Sequence, residues 1–360
     1  MSHYRVGILT SGGDCPGLNA VLWAAATSAT TLGWEMLGFC DGYEGLLCPV
    51  RYRLLDQQNT NGIMALGGTI IGTTNKGRFV AKVGAGDVAR IPDEIISETK
   101  ETLEGLGVSA LICIGGDGSL STAQQLFEAG IPVVGVPKTI DNDLSATAVT
   151  FGFNSAVACV SDALDRLHTT AVSHRRVMVV EVMGRHTGWI ALHGGLAGGA
   201  NMILLPEVPF SYDKVVDFIN KHFDNGARAA IVVVAEGAFP KDGGIVSKAS
   251  GHPGEVKMGG IGNQVADYIG KHTQHETRCV VLGHLQRGGP PTTLDRILGM
   301  RFGVGAIKLI QEKKFGHMVS YQNYEIGSVP IPEAVGQLKR VEPTSQMLEA
   351  ARTIGISFGD

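Results

Sequence analysis

The sequence has no excess of charge of either sign: 30 Lys and Arg stand against 34 Asp and Glu, a formal net charge of −4. That balance excludes the global basic surface that drives non-specific nucleic-acid binding, so nucleic acid is not an expected partner. No apolar run approaches the roughly 18 residues of a membrane span. The opening MSHYRVGILTSGGD enters an aliphatic segment without a basic leader. A cytoplasmic protein with no membrane contact is expected. Cysteine is sparse: Cys15, Cys40, Cys48, Cys113, Cys159 and Cys279 form no C-x-x-C pair and no metal-finger spacing. This excludes a disulfide scaffold and leaves the expectation of reduced, mostly buried thiols. Aromatic residues are 6% of the chain, and Trp23, Trp34 and Trp189 form no stacking stripe beside basic residues, so they are read as core or contact-surface residues. His168, His174, His186 and His193 show no i, i+4 pair with a helical Glu between them, and no zinc site is expected.

Glycine is what the chain has in plenty. Its 50 glycines have no G-X-Y period, and 44% hydrophobic with 18% charged residues is a globular balance. A length of 360 residues suggests two domains, at roughly 150 residues each. The glycines cluster after short aliphatic runs at residues 5–9, 110–114, 177–182, 229–234 and 279–282, each followed by helical spacing. Continuous apolar runs of this length describe strands buried on both faces, and their alternation with helices implies parallel β-α-β units. The class is α/β. In such sheets ligands bind beyond the carboxyl ends of the strands, which is where these clusters fall. A domain boundary near residue 150 follows from size and from the polar stretch 139–147.

Gly115-Gly116-Asp117-Gly118-Ser119 combines backbone amides that can approach phosphate, a helix start, and one carboxylate suited to Mg²⁺. A tight turn alone needs one glycine and no acid. Thr10-Ser11-Gly12-Gly13-Asp14 is a weaker turn of the same kind. Pro137-Lys138-Thr139-Ile140-Asp141-Asn142-Asp143, read as the loop after a strand at 131–136, sets two carboxylates two residues apart behind a cation. Asp141 suits proton acceptance from a hydroxyl, Asp143 a metal directly or through water, and Lys138 the charge on a moving phosphoryl group. The competing reading is an Asx-rich turn. Arg175, Arg176, Arg185, Arg278, His284 and Arg287 sit singly at strand ends, and planar guanidinium forks there suit a phosphorylated substrate. Together these residues describe Mg²⁺-dependent phosphoryl transfer without naming the acceptor.

The motifs Thr10-Ser11-Gly12-Gly13-Asp14, Gly116-Asp117-Gly118-Ser119, Thr139-Ile140-Asp141-Asn142-Asp143, Met183-Gly184-Arg185, Ala235-Glu236-Gly237 and Gly283-His284-Leu285-Gln286-Arg287-Gly288-Gly289, in this order from about residue 5 to 300, resemble the 6-phosphofructokinase family. The resemblance implies two Rossmann-like parallel-sheet domains with the active site in the cleft between them. It implies a donor (ATP/Mg) domain of residues 1–152 plus about 286–336 and a sugar-phosphate domain of 153–285 plus about 337–360. The implied reaction is transfer of a phosphoryl group to the 1-hydroxyl of fructose 6-phosphate in glycolysis. Asp141 would be the proton acceptor, assisted by Lys138 and Arg185, and Asp117 the Mg²⁺ ligand. Gly13, Lys76, Gly77, Gly116, Asp117, Gly118 and Ser119 would form the donor site. Thr139, Ile140, Asp141, Arg176, Met183, Gly184, Arg185, Glu236, Arg278, His284, Leu285, Gln286 and Arg287 would bind the sugar phosphate. In the family, residues matching Arg176 and Arg278 come from a neighbouring subunit, so a homo-oligomer, dimer or tetramer, with shared active sites is implied.

The chain departs from the family pattern at informative places. Gly118 is the residue of ATP users, since Asp there occupies and repels the nucleotide's α-phosphate; Lys138 is the residue of pyrophosphate users. Charge and sterics at 118 act as a veto, whereas a cation at 138 only adds stabilisation, so ATP is the expected donor and pyrophosphate the alternative. No residue supports ADP. Where the common bacterial enzyme has an arginine reaching the transferred group, this chain reads Thr73-Thr74-Asn75-Lys76-Gly77-Arg78, with Lys76 the expected substitute and Arg78 the other candidate. Trp23 and Thr27 stand at the positions of allosteric-site arginines, which argues against regulation by ADP or phosphoenolpyruvate there. The tail beyond Gly327-Ser328-Val329-Pro330-Ile331-Pro332 is given no function. Diacylglycerol and NAD kinases share Gly-Gly-Asp-Gly but lack the other motifs in this order. A non-catalytic nucleotide-binding regulatory subunit would have lost Asp141, Asp117 or the arginines, and all are present.

Overall fold

The computed structural model describes residues 4–74, 76–79, 90–243, 247–249 and 256–360. The chain divides into two compact units, one of Met1–Ile140, Leu144–Ser155 and Arg287–Leu338, the other of Asp141–Asp143, Ala156–Gln286 and Lys339–Asp360.

The first unit holds β1 (Arg5–Thr10), β2 (Glu35–Phe39), β3 (Tyr52–Leu55), β4 (Val108–Gly115), β5 (Val133–Thr139), β6 (Phe151–Gly152), β13 (His317–Gln322) and β14 (Glu325–Pro330). They form one sheet in the order β14-β13-β5-β4-β1-β2-β3, with β6 beside β5. The run from β13 to β2 is parallel, and β14 and β3 close its edges in antiparallel fashion. Ala110 to Gly115 of β4 are all buried, as a central strand covered on both faces requires. The helices are α1 (Leu18–Thr31), α2 (Asp93–Gly105), α3 (Asp117–Glu128), α8 (Thr293–Gln311) and α9 (Ile331–Val335). Successive strands leave β1 on opposite sides, β2 on one and β4 on the other, so the sheet has its topological switch between β1 and β4. Their register, Thr10 beside Ile114, brings the turns at 11–14 and 115–119 to the same edge of the sheet.

Two contacts hold this unit's helices. On α8, a Cβ at Gly303 would stand 2.5 Å from the Val21 carbonyl oxygen and 2.9 Å from Ala24 Cβ, so glycine is what lets α1 and α8 pack so closely. Asp295, fully buried at the start of α8, accepts the Ser155 backbone N–H at 2.8 Å and the Ser155 hydroxyl at 2.6 Å. Asp295→Ala leaves that buried amide without its acceptor and is expected to cost about 1–3 kcal/mol, read as a lower urea midpoint. An unchanged midpoint refutes the bond's contribution.

The second unit is built on α4 (Phe153–His174), whose first three residues fall in the first unit, and on β7 (Val177–Val182), β8 (Met202–Leu204), β9 (Ala230–Ala235) and β12 (Thr277–Val281). The four strands make a parallel sheet in the order β12-β7-β9-β8. Every residue of β7 and β9 is buried, again the mark of a two-sided parallel sheet. Around them lie α5 (Trp189–Ala197), α6 (Tyr212–Asp224), α7 (Ile261–His272) and α10 (Gln346–Thr353), with the hairpin β10 (Ser247–Ala249) and β11 (Val256–Met258). The tail joins this unit: Ile203 N–H donates to the Ser357 carbonyl at 2.9 Å, and Phe358 is fully buried. No helix among the described residues is long and apolar enough to cross a membrane.

Two expectations need correction. The segment 137–139 is strand rather than loop: β5 runs to Thr139 because β6 pairs Phe151 with Lys138 and Gly152 with Thr139. The cysteines are all free, but only Cys15 and Cys113 are buried, while Cys40, Cys159 and Cys279 are half-buried and Cys48 is exposed. A small thiol is tolerated at the partly open positions, and only the two strand- and turn-flanking sites are sealed by the sheet. Burial pushes the thiols of both Cys15 and Cys113 up to about 12, which keeps them protonated and unreactive.

Candidate active site

In the first unit the two glycine turns meet. Ser11 N–H donates to the Ile114 carbonyl at 2.9 Å, tying the β1 turn to the end of β4. Gly12 has φ 81°, a conformation that favours glycine, and a Cβ there would stand 3.3 Å from Ser119 Oγ and 3.5 Å from Lys138 Nζ. A Cβ at Gly13 would come within 2.8 Å of the Arg287 guanidinium, whose Nη1 donates to the Asp14 carbonyl at 3.0 Å. Lys138, 4% exposed, donates its ammonium to the Gly13 carbonyl. Ser119, Lys138 and Arg287 therefore pack against the glycines of the two turns, and together they form one glycine-lined junction at the switch point.

Gly116 stands at the N-cap of α3, with Asp117 in its first turn and Gly118 and Ser119 following, all half-buried. First-turn amides have no acceptor within their helix and, with the helix dipole, suit an anion. Tyr43 braces this start from beneath, its hydroxyl donating to the Ser119 carbonyl at 2.7 Å. Nearby, Lys76 is exposed at a turn, its N–H donating to Thr74 Oγ1 at 3.1 Å. Gly77 has φ 128°. Arg78, the other candidate, is held by Glu44 with Nε 3.2 Å from Oε2. Asn75 lies outside the described residues.

Among the described residues no three His, Cys, Asp or Glu side chains converge on a metal position. A Mg²⁺ ion carried by phosphates takes one or two carboxylates and completes its shell with phosphate oxygens and water. Asp117, in the first turn of α3, fits that pattern.

Past Thr139, half-exposed, and buried Ile140 the chain turns through Asp141, Asn142 and Asp143, which pack with the second unit. Thr187 Oγ1 donates to the Asp141 carbonyl at 3.3 Å. In that unit the ends of β7, β9 and β12 lie in register, so Met183, Glu236 and Leu282 follow neighbouring strands. Gly184 has φ 140°, where a Cβ would stand 2.7 Å from the Thr187 carbonyl, and the Gly237 N–H donates to the Gly184 carbonyl at 3.1 Å. This cross-bond fixes the 183–187 turn, from which Arg185 extends into solvent. Gln286 is buried and uses its amide on the backbone, accepting from Met183 N–H at 3.3 Å and donating to the Gly283 carbonyl at 3.0 Å.

His284 is exposed and Leu285 is 69% exposed. Arg176 and Arg278 converge on Glu276: Arg176 Nε is 2.7 Å from Oε2, and Arg278 Nη2 reaches Oε1. Those ion pairs hold the Glu276 carboxyl below its ordinary range, Arg176 first. Sequence reading missed Glu207. Its carboxylate accepts Gly188 N–H at 3.0 Å and Val341 N–H at 3.0 Å, and burial pushes its pKa up. It also missed Lys339. No motif marks either residue.

A glycine-lined junction and helix start at a sheet's switch point, packed against a lysine and an arginine and followed by a carboxylate turn, define a phosphoryl-transfer protein. The family model described as phosphofructokinase matches residues 5–310, and the chain belongs to that family. It is 49% identical over 356 residues to an ATP-dependent 6-phosphofructokinase of Chloroflexus aurantiacus, covering 99% of this chain and 98% of the relative. It is 47% identical over 342 residues to a pyrophosphate–fructose 6-phosphate 1-phosphotransferase of Amycolatopsis methanolica, covering 94% and 96%. Among solved structures, the phosphofructokinase of Pichia pastoris superposes with a TM-score of 0.80 at 29% identity over 99% of this chain. This chain spans only 37% of the length of that one.

Proposed function

We propose that this chain transfers the γ-phosphoryl group of ATP to the 1-hydroxyl of fructose 6-phosphate, giving fructose 1,6-bisphosphate and ADP, as a cytoplasmic step of glycolysis. The observation that carries the reading is the glycine-lined junction at the ends of β1 and β4, with the Asp141–Asp143 turn following β5 after Ile140. In it, Gly13, Lys76, Gly77, Gly116, Gly118 and Ser119 hold the donor through backbone amides and charge, and the α3 dipole favours its phosphates. Asp117 would hold Mg²⁺, which would supply positive charge against the donor's phosphates. Thr139 and Ile140 present the turn to the sugar, and the Asp141 carboxylate takes the proton of the attacking hydroxyl. Lys138 and Arg185 balance charge on the transferred group. Met183, Gly184, Glu236, His284, Leu285, Gln286 and Arg287 form or brace the sugar-phosphate site. Arg176 and Arg278, already together on Glu276, serve a neighbouring copy in a homo-oligomer.

Initial rates of fructose 1,6-bisphosphate formation with ATP, ADP and pyrophosphate, offered separately with Mg²⁺, test the reading. A preference for ATP is expected, and no product with any donor refutes catalysis. One observation favours pyrophosphate as a second reading: the buried Lys138 ammonium lies on the Gly13 carbonyl, among the residues proposed to hold the donor, and adds a cation there. Lys138→Gly removes the cation and opens a buried gap. It is expected to lower turnover with ATP by about tenfold or more, and unchanged turnover removes Lys138 from the machinery.

A further inference from the structure

The segment after α9 carries a lysine that none of these roles uses. Lys339 is largely buried and bonds twice to the turn that bears Asp141. Its backbone N–H donates to the Asp143 carbonyl at 2.8 Å, and its ammonium donates to Asn142 Oδ1 at 3.3 Å. Trp189 grips it from the other side. The indole N–H donates to the Lys339 carbonyl at 2.7 Å, and the ammonium stands 5.7 Å from the centre of the indole ring. Two residues on, Val341 is fastened to Glu207, which also holds Gly188 at the start of α5. The tail is thus tied at successive points to both the 141–143 turn and the 187–189 turn.

Burying an ammonium costs free energy that its surroundings must offset. Burial lowers the Lys339 pKa to about 8, and the Asp143 carboxylate acts in the opposite direction. The turn it holds is itself strained. Asn142 is buried at φ 52°, a left-handed conformation that asparagine adopts more readily than most non-glycine residues but at a cost its neighbours offset. The direction of the Asp141 side chain is set by the backbone on either side of it. Thr187 anchors the carbonyl of Asp141, and Lys339 anchors the side chain of the next residue and the carbonyl of the one after.

We propose that Lys339 is a positioning residue for phosphoryl transfer: by holding Asn142 Oδ1 with its ammonium it locks the left-handed turn that aims the Asp141 carboxylate at the acceptor hydroxyl. The proposal rests on Asp141 as proton acceptor. A lysine that only stabilised the fold would change the denaturation midpoint and leave turnover alone, whereas a positioning residue changes kcat in folded protein.

The test compares steady-state kinetics and urea denaturation of the full chain, Lys339→Met, Asn142→Gly and the double variant, with fructose 6-phosphate and ATP. Lys339→Met keeps the backbone bond to Asp143 and removes only the ammonium. It is expected to lower kcat by about 10- to 100-fold, the scale of a small misplacement of a reacting group, with KM for fructose 6-phosphate within about threefold. In the Asn142→Gly background the acceptor is gone and glycine adopts the turn freely, so adding Lys339→Met is expected to cost less than about twofold. An unaltered kcat in folded Lys339→Met overturns the proposal, and so does an undiminished effect in the Asn142→Gly background. Where Lys339→Met does not fold, Trp189→Phe removes the indole donor and keeps the aromatic face. It is expected to lower kcat severalfold, and an unaltered kcat there is equally fatal. Wild-type protein that forms no fructose 1,6-bisphosphate refutes the phosphofructokinase reading and this one with it, a result distinct from an active wild type with an unaffected variant.

Discussion

Asp141→Ser is expected to lower turnover by about 10²–10⁴, the range set by loss of a general base, while fructose 6-phosphate still binds. The geometry makes this a clean substitution. Asp141 is half-buried, and the anchor on this residue from Thr187 goes to its backbone carbonyl, not to its carboxylate. Asn142 and Asp143 keep their own bonds to Lys339. Serine therefore removes the carboxylate proposed as proton acceptor and keeps these three anchors on the turn. The comparison to make is kcat against the dissociation constant of the sugar phosphate. Undiminished kcat in the variant would remove Asp141 from the chemistry, and a parallel loss of sugar binding would make it a binding residue instead.

Gly118→Asp is expected to lower kcat/KM for ATP by about 10² or more, with much less effect on the sugar. Position 118 is in the first turn of α3, directly after the carboxylate of Asp117. An acidic residue suits the backbone there, since negative charge near a helix N-terminus is stabilising, so the fold should be undisturbed. The α-phosphate of a nucleotide approaching the same helix start meets that charge, and like charges brought together at a binding surface cost several kcal/mol. Pyrophosphate has no third phosphate to be repelled. Rates with both donors, on protein with an unchanged urea midpoint, separate the two cases. An ATP response equal to wild type would leave the donor choice to Lys138.

These variants act on residues that the sequence makes visible. Phosphate cradles need glycine for close backbone approach, and parallel strands need unbroken aliphatic runs, so both leave marks at fixed spacings. The run at 177–182 coincides with β7, Val177–Val182, because all its residues are buried and its ends meet polar turns. The end of β5 was not legible. Pro137-Lys138-Thr139 looks like the start of a loop, but Pro137 pairs with Gly115 of β4 and Lys138 and Thr139 pair with Phe151 and Gly152, which is why Lys138 is buried rather than projecting from a turn. The short run at 279–282 is displaced in the same way, since β12 starts at Thr277 to pair with Val177.

The site divides along the same line. The sequence by itself determined the α/β class, the glycine turns, the carboxylate turn and the membership of a phosphoryl-transfer family, because each depends on residue types local in the chain. Only the tertiary structure decided that Arg287 lies against Gly13 and Asp14, that Arg176 and Arg278 converge on Glu276, and that Gln286 is a backbone brace. It alone assigned Asp141–Asp143 to the second unit and brought Lys339 to them. The physical reason is that hydrogen bonds between residues distant in the chain need only a single suitable donor and acceptor at each end. Such bonds impose no period and no composition, so the residues making them look ordinary until the fold brings them together.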